Sequence, residues 1–152
     1  MPISPKDIKK LRLETGAGVM DCKKALTESQ GDYKKALEVV KKKGMARAEK
    51  KQDRETKIGY IAQYVHSNNQ VAALVEILCE TDFVARNDEF QVMARDIAMH
   101  VVAMQPKDTK ELLEQEFVKD PSITIAELVK TLSGKIGEKF VVSRFERMKV
   151  GE

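Results

Sequence analysis

Few side chains in this sequence are spaced for covalent chemistry. Its two histidines, His66 and His100, stand 34 positions apart, and its two cysteines, Cys22 and Cys79, stand 57 apart. Neither spacing fits a local metal-ligand set or a disulfide framework. Thr15-Gly16-Ala17-Gly18 is glycine-rich, as a phosphate loop is, but no strand precedes it and no Gly-Lys-Ser/Thr ending or full dinucleotide fingerprint follows. A turn between two helices suits it better. The most informative stretch is Thr81-Asp82-Phe83-Val84-Ala85-Arg86-Asn87-Asp88-Glu89-Phe90. Here a large aromatic sits beside a carboxylate where a strand gives way to a helix. Such a pair either projects to press on another protein or leaves Phe83 plugging a small core, and spacing alone keeps both readings open.

The elements that must hold this pair follow from periodicity. Residues 71–79 are predicted to form a strand, and 58–66 a second one returning beside it through Ser67-Asn68-Asn69-Gln70. Asn87 is placed to cap a helix over Asp88 to Met104, whose Phe90, Met93, Ala94, Ile97, Val101 and Met104 recur at helical steps as a core face. Pro106 stops that helix. Asp108 and Glu111 suggest a short cap, Thr124 and Glu127 have capping-box spacing, and 139–149 alternates partially as a third strand. Ahead of this core, residues 4–44 read as three short helices. Ser4-Pro5 opens the first, Val19 to Ser29 is the second, and the third runs from an Asp32 cap to an end at Gly44. The expected fold is α+β: a three-helix domain over 1–45, a charged linker or helix extension over 46–57, and a three-stranded antiparallel sheet packed with helices over 58–152.

Composition narrows the function classes. The chain has 152 residues, 42% hydrophobic and 34% charged, and a net charge of +3. Residues 1–57 carry 16 Lys/Arg against nine Asp/Glu, and the remainder 11 against 15. A basic front half suits an acidic protein surface or a phosphate backbone. However, acids are interleaved at helical spacing and no aromatics accompany them for base stacking, so an ordinary solvated surface is favoured over nucleic-acid binding. With no apolar run of membrane-spanning length, no basic-then-apolar leader and two cysteines read as reduced thiols, a cytoplasmic location and no membrane partner are expected.

Two motifs carry a family resemblance. Leu11-Arg12-Leu13-Glu14-Thr15-Gly16-Ala17-Gly18-Val19-Met20-Asp21-Cys22-Lys23-Lys24-Ala25-Leu26 and Glu76-Ile77-Leu78-Cys79-Glu80-Thr81-Asp82-Phe83-Val84-Ala85-Arg86-Asn87 resemble, in order and separation, those of bacterial and organellar elongation factor Ts. That family exchanges guanine nucleotide on elongation factor Tu. The resemblance implies a helical domain similar to ubiquitin-associated domains, one core unit where longer relatives have two, and no cofactor or metal. It implies a noncovalent exchange factor, not an enzyme, with elongation factor Tu in its GDP-bound and nucleotide-free states as partner. Phe83 would wedge between helices near the nucleotide while Asp82 engages polar groups around the opening. Met20 would make a second contact on the same partner domain, although its position also allows a core contact in the first bundle. Factor and nucleotide would each weaken the other's binding, which speeds release without covalent chemistry. With one core unit, two copies are expected to associate as a homodimer. A nonexchanging partner-binding scaffold or fragment is the alternative.

Overall fold

A computed structural model describes residues 3–152, so the first two positions of the expected helical domain lie outside the described residues. The chain opens with α1 (Pro5–Thr15), where the Ser4 hydroxyl accepts the Lys6 N–H and Pro5 occupies the first turn. Gly16, at φ 68°, closes it in the left-handed region that glycine enters at little steric cost. Two helices follow, α2 (Val19–Glu28) and α3 (Tyr33–Glu49), the latter capped by Asp32 on the Lys35 N–H. Together they enclose a small core of Leu11, Cys22, Ala25, Leu26, Ala36 and Val40.

The third helix does not stop at Gly44 as its sequence suggests. It continues to Glu49, with Ala48 buried. An interior glycine costs a helix only about 1 kcal/mol relative to alanine, and the residues beyond it are mostly good helix formers. The charged 46–57 stretch therefore divides: its first four residues extend α3, 50–53 turn, and 54–57 run without regular structure into the sheet.

β1 (Ile58–Val65) and β2 (Val71–Cys79) form an antiparallel hairpin, and the chain's last strand, β5 (Val141–Lys149), pairs antiparallel with the other side of β2. The fold is thus α+β, with helices ahead of a three-stranded antiparallel sheet. The register sets its faces. Tyr60, Ala62 and Tyr64 of β1 lie opposite Ile77, Val75 and Ala73 of β2, and this inner face is covered by α5 (Asp88–Met104). Phe90 of α5 meets Phe140 edge to face, with ring centroids 4.9 Å apart. A bulge leaves Ser143 between Arg144, opposite Glu76, and Val142, opposite Ile77; its hydroxyl donates to Glu76 Oε1 at 2.5 Å.

Three shorter pieces complete the core: α4 (Asp82–Ala85), α6 (Thr109–Glu114) and a two-stranded ribbon of β3 (Glu116–Phe117) and β4 (Asp120–Thr124). The ribbon was not expected, because a two-residue strand and one containing Pro121 are too short to show alternation. α7 (Ile125–Ile136) starts with the full Thr124–Glu127 capping box that its spacing suggests.

α7 also joins the two cores. It crosses α3 at a pair of glycines so closely that a Cβ added to Gly134 would lie 2.5 Å from the Gly44 carbonyl oxygen. A Cβ on Gly44 itself would meet nothing within 4 Å. The crossing thus depends on Gly134 far more than on Gly44.

Candidate functional site

The site begins where β2 ends. Cys79 is wholly buried, and Thr81 then caps α4 by accepting the Val84 N–H on its hydroxyl. In this single helical turn Val84 and Ala85 point into the core. Asp82 and Phe83 are left outside, and Phe83 is 81% exposed. The reading in which Phe83 plugs the core is therefore excluded. A lone exposed apolar side chain is ordinary on a protein surface. Phe83 differs in how firmly its backbone is held. Asn87 caps α5 by accepting the Phe90 N–H, and the Gln91 amide donates to the Ala85 carbonyl, tying the end of α4 to α5. On the outer side Asp82 accepts from Arg86 at 2.8 Å, one helical turn on.

Bracing comes from across the sheet as well. Gly137, at φ 96°, ends α7 and swings Glu138 toward the turn. Glu138 Oε1 accepts the N–H groups of Glu80 and Thr81, both at 3.0 Å, and Oε2 accepts the Thr81 hydroxyl at 2.6 Å. Glu80 returns the arrangement by accepting the Lys139 N–H at 3.0 Å. Arg54, from the segment after α3, reaches Glu80 and the Gly137 carbonyl. The sequence alone does not single out Glu138 or Arg54, because their partners lie far away in the chain and no local motif joins them. Arg86 stood inside the quoted motif, and its four-residue offset from Asp82 was a usable signal.

The other expected contact, Met20, lies in the first turn of α2, whose Gly18 cap offers no side chain to the helix N-terminus. Met20 is 63% exposed, and neighbouring Val19 is exposed too. A core contact for Met20 is thus excluded. Thr15-Gly16-Ala17-Gly18 forms the connection between α1 and α2, as read. It leans on α7: a Cβ on Gly16 would come within 2.6 Å of Lys135 Cγ. Both candidate loops are accordingly organised from the same end of α7, the first through Lys135 and the second through Glu138.

Three of the four remaining reactive groups are enclosed. Burial pushes the Cys79 thiol up to about 11 and raises that of Cys22, so neither is a ready nucleophile near neutral pH. His66 is exposed near the hairpin, as expected. His100 is fully buried, with Nε2 2.9 Å from Gln115 Oε1 and Nδ1 accepting the Val118 N–H at 3.2 Å. This pairing sets the tautomer with the proton on Nε2. Among the described residues no group of three His, Cys, Asp or Glu side chains could hold a metal ion, and no helix is long and apolar enough to cross a membrane.

The site is thus a rigid protrusion on a mixed α+β body, and the sequence comparisons agree on where such a body belongs. A family model described as elongation factor TS matches residues 80–152, a range that includes Thr81-Asp82-Phe83. Elongation factor Ts of Fervidobacterium nodosum is 41% identical, with both chains fully covered. That of Herpetosiphon aurantiacus is 39% identical over 99% of each chain, and the chloroplastic protein of Rhodomonas salina 40% identical over 99% of this chain and 90% of its own. The chain belongs to the elongation factor Ts family. It is a compact member: the alignment with the Fervidobacterium protein runs to 197 positions against 152 residues here, so at least 45 positions have no counterpart in this chain.

Proposed function

We propose that this chain promotes GDP release and GTP entry on elongation factor Tu by noncovalent contact, Phe83 acting as the wedge. One observation carries the reading: Phe83 stands 81% exposed on a turn braced from both sides, within the segment that matches the family model. An apolar side chain on a fixed backbone loses less freedom on docking than one on a loose segment. Asp82, exposed beside it and paired among the described residues with the exposed Arg86 alone, is free to exchange that partner for polar groups on the opened nucleotide domain. Met20 supplies a second contact from the helical domain over 1–45, while the core over 58–152 carries the wedge. The factor binds the GDP-bound and nucleotide-free partner, and GTP entry displaces it through the reciprocal weakening that linkage requires.

Self-association belongs to the same reading. The outer face of the sheet carries Ile61, Val65, Leu74 and Met148, all at least half exposed. A second copy laid face to face would cover them in a two-fold symmetric pair. Stopped-flow release of a fluorescent GDP from elongation factor Tu, with and without this chain, tests the main reading. Acceleration is expected, and binding without acceleration would identify a nonexchanging scaffold instead. Sedimentation over a concentration series tests the pairing, with Met148→Lys expected to shift the equilibrium toward single chains.

A further inference from the structure

Glu138 is remote from the exchange motif in sequence yet makes three hydrogen bonds to it. Its carboxylate takes two successive backbone N–H groups and the Thr81 hydroxyl. That hydroxyl is also the acceptor that caps α4 through the Val84 N–H. One side chain therefore fixes both the backbone entering the turn and the rotamer of its capping residue, immediately before Asp82 and Phe83. Glu138 is itself immobilised. Its carbonyl accepts the Ser133 hydroxyl at 2.5 Å, Gly137 N–H closes on the Ser133 carbonyl at 2.8 Å, and the next residue, Lys139, is held by Glu80. A carboxylate bonded to two N–H groups and one hydroxyl makes charge-assisted bonds, stronger and more directional than neutral ones.

We infer that Glu138 is a positioning residue for exchange, setting the direction in which Phe83 projects without itself meeting the partner. The inference rests on the wedge reading of Phe83. Its chemistry separates two substitutions. Glu138→Gln keeps an oxygen for the Glu80 and Thr81 N–H groups, so the turn still forms. Its amide nitrogen, however, faces the Thr81 hydroxyl as a donor and makes that hydroxyl reverse its bond. Glu138→Ala removes all three acceptors and frees the turn.

The test is a double-mutant cycle read by stopped-flow release of fluorescent GDP from elongation factor Tu, using the full chain and checking each variant by its melting transition. Glu138→Ala is expected to slow release by roughly tenfold, as loss of a charge-assisted network does, and Glu138→Gln by about threefold. Adding Glu138→Ala or Glu138→Gln to Phe83→Ala should cost little more, because without the ring there is nothing left to aim. A purely structural role gives the opposite pattern, with losses that multiply, and that result overturns the inference while leaving the wedge intact. Wild-type release by a folded Glu138→Gln variant overturns it as well. Wild-type release by Phe83→Ala removes the wedge and this inference together. The Gln variant keeps the test decisive if Glu138→Ala does not fold.

Discussion

The two proposed partner contacts, Met20 and Phe83, rest on different kinds of support. Met20 rides on a bundle whose core holds six buried side chains among the described residues and whose second helix begins without a side-chain cap. Phe83 rides on a turn anchored to a core three times as large and bound by three hydrogen bonds to one carboxylate. Forty-odd residues bury too little surface to be firm alone, so the bundle borrows stability by docking α3 on α7. The difference teaches that exposure does not by itself make a contact strong. A protrusion fixed before binding loses little freedom on docking, whereas one on a loosely held element loses more. In the proposed reading the core turn pushes and the bundle holds on.

The sharpest way to break this contrast is at Phe83. Phe83→Ala should slow nucleotide release by roughly ten- to hundredfold, the kinetic equivalent of about 1.5–3 kcal/mol of apolar burial on the partner. The same variant, denatured alone in urea, should lose less than about 0.5 kcal/mol, since the ring makes no core contact. Asp82→Ala should slow release to a lesser extent and leave the fold intact. If Phe83→Ala instead melts the protein, the turn is part of the core and the contrast is lost.

Next comes the docking itself. Gly134→Ala drives a methyl into the α3 backbone and should cost about 1–3 kcal/mol, the usual range for overpacking. Gly44→Ala, whose methyl meets open space, should gain about 0.5–1 kcal/mol from helix propensity. Thermal melts of the two variants in parallel check the opposite signs. Equal effects would mean that the helices do not cross at this point.

Met20→Ala should weaken the complex with nucleotide-free elongation factor Tu by about 1–2 kcal/mol, the value of a partly buried methionine. Titration calorimetry beside a melt of the free variant separates this from a fold effect, and an unchanged affinity would remove the bundle from the interface. The smallest expected effect concerns pH. Burial, opposed by the weaker pull of the Gln115 bond, holds the His100 imidazole below its ordinary value of 6.5. The folded state keeps the ring neutral, so an unfolded chain takes up the proton first. The stability tied to His100 is complete above pH 6.5 and is lost as pH falls from there toward the lower folded-state value. The bundle contains no histidine. Melts from pH 7.5 to 5.5 should therefore show a decline that His100→Gln reduces, and an undiminished slope in that variant would assign the loss elsewhere.

What could be read from the sequence followed interaction range. Ser4, Asp32, Asn87, Asp108 and Thr124 all cap the helices their spacing suggests, because a cap is a contact over two or three residues. The hairpin was legible through periodicity, and so was the α5 core face except at Met104, which stands exposed at the end of the helix. The end of α3 was misread because a lone glycine costs a helix interior only about 1 kcal/mol, which the docking of α3 on α7 offsets. The Glu138 bracing and the setting of His100 were illegible for the same reason. Each depends on a partner supplied by another element, Thr81 in one case and Gln115 with Val118 in the other.

The strand order has a temporal meaning. β2, the central strand, is flanked by its hairpin partner and by the final strand of the fold, with Val71 facing Lys149. Contacts between distant positions close late, after the loop entropy between them has been overcome, whereas helix–helix contacts within the first fifty residues are local and form early. Glu138 lies just ahead of that last strand, so its grip on Thr81 tightens only as β5 closes the sheet. A chain with β5 unpaired would leave the aromatic ring without its fixed direction. The aim of the ring is thus tied to completion of the whole sheet.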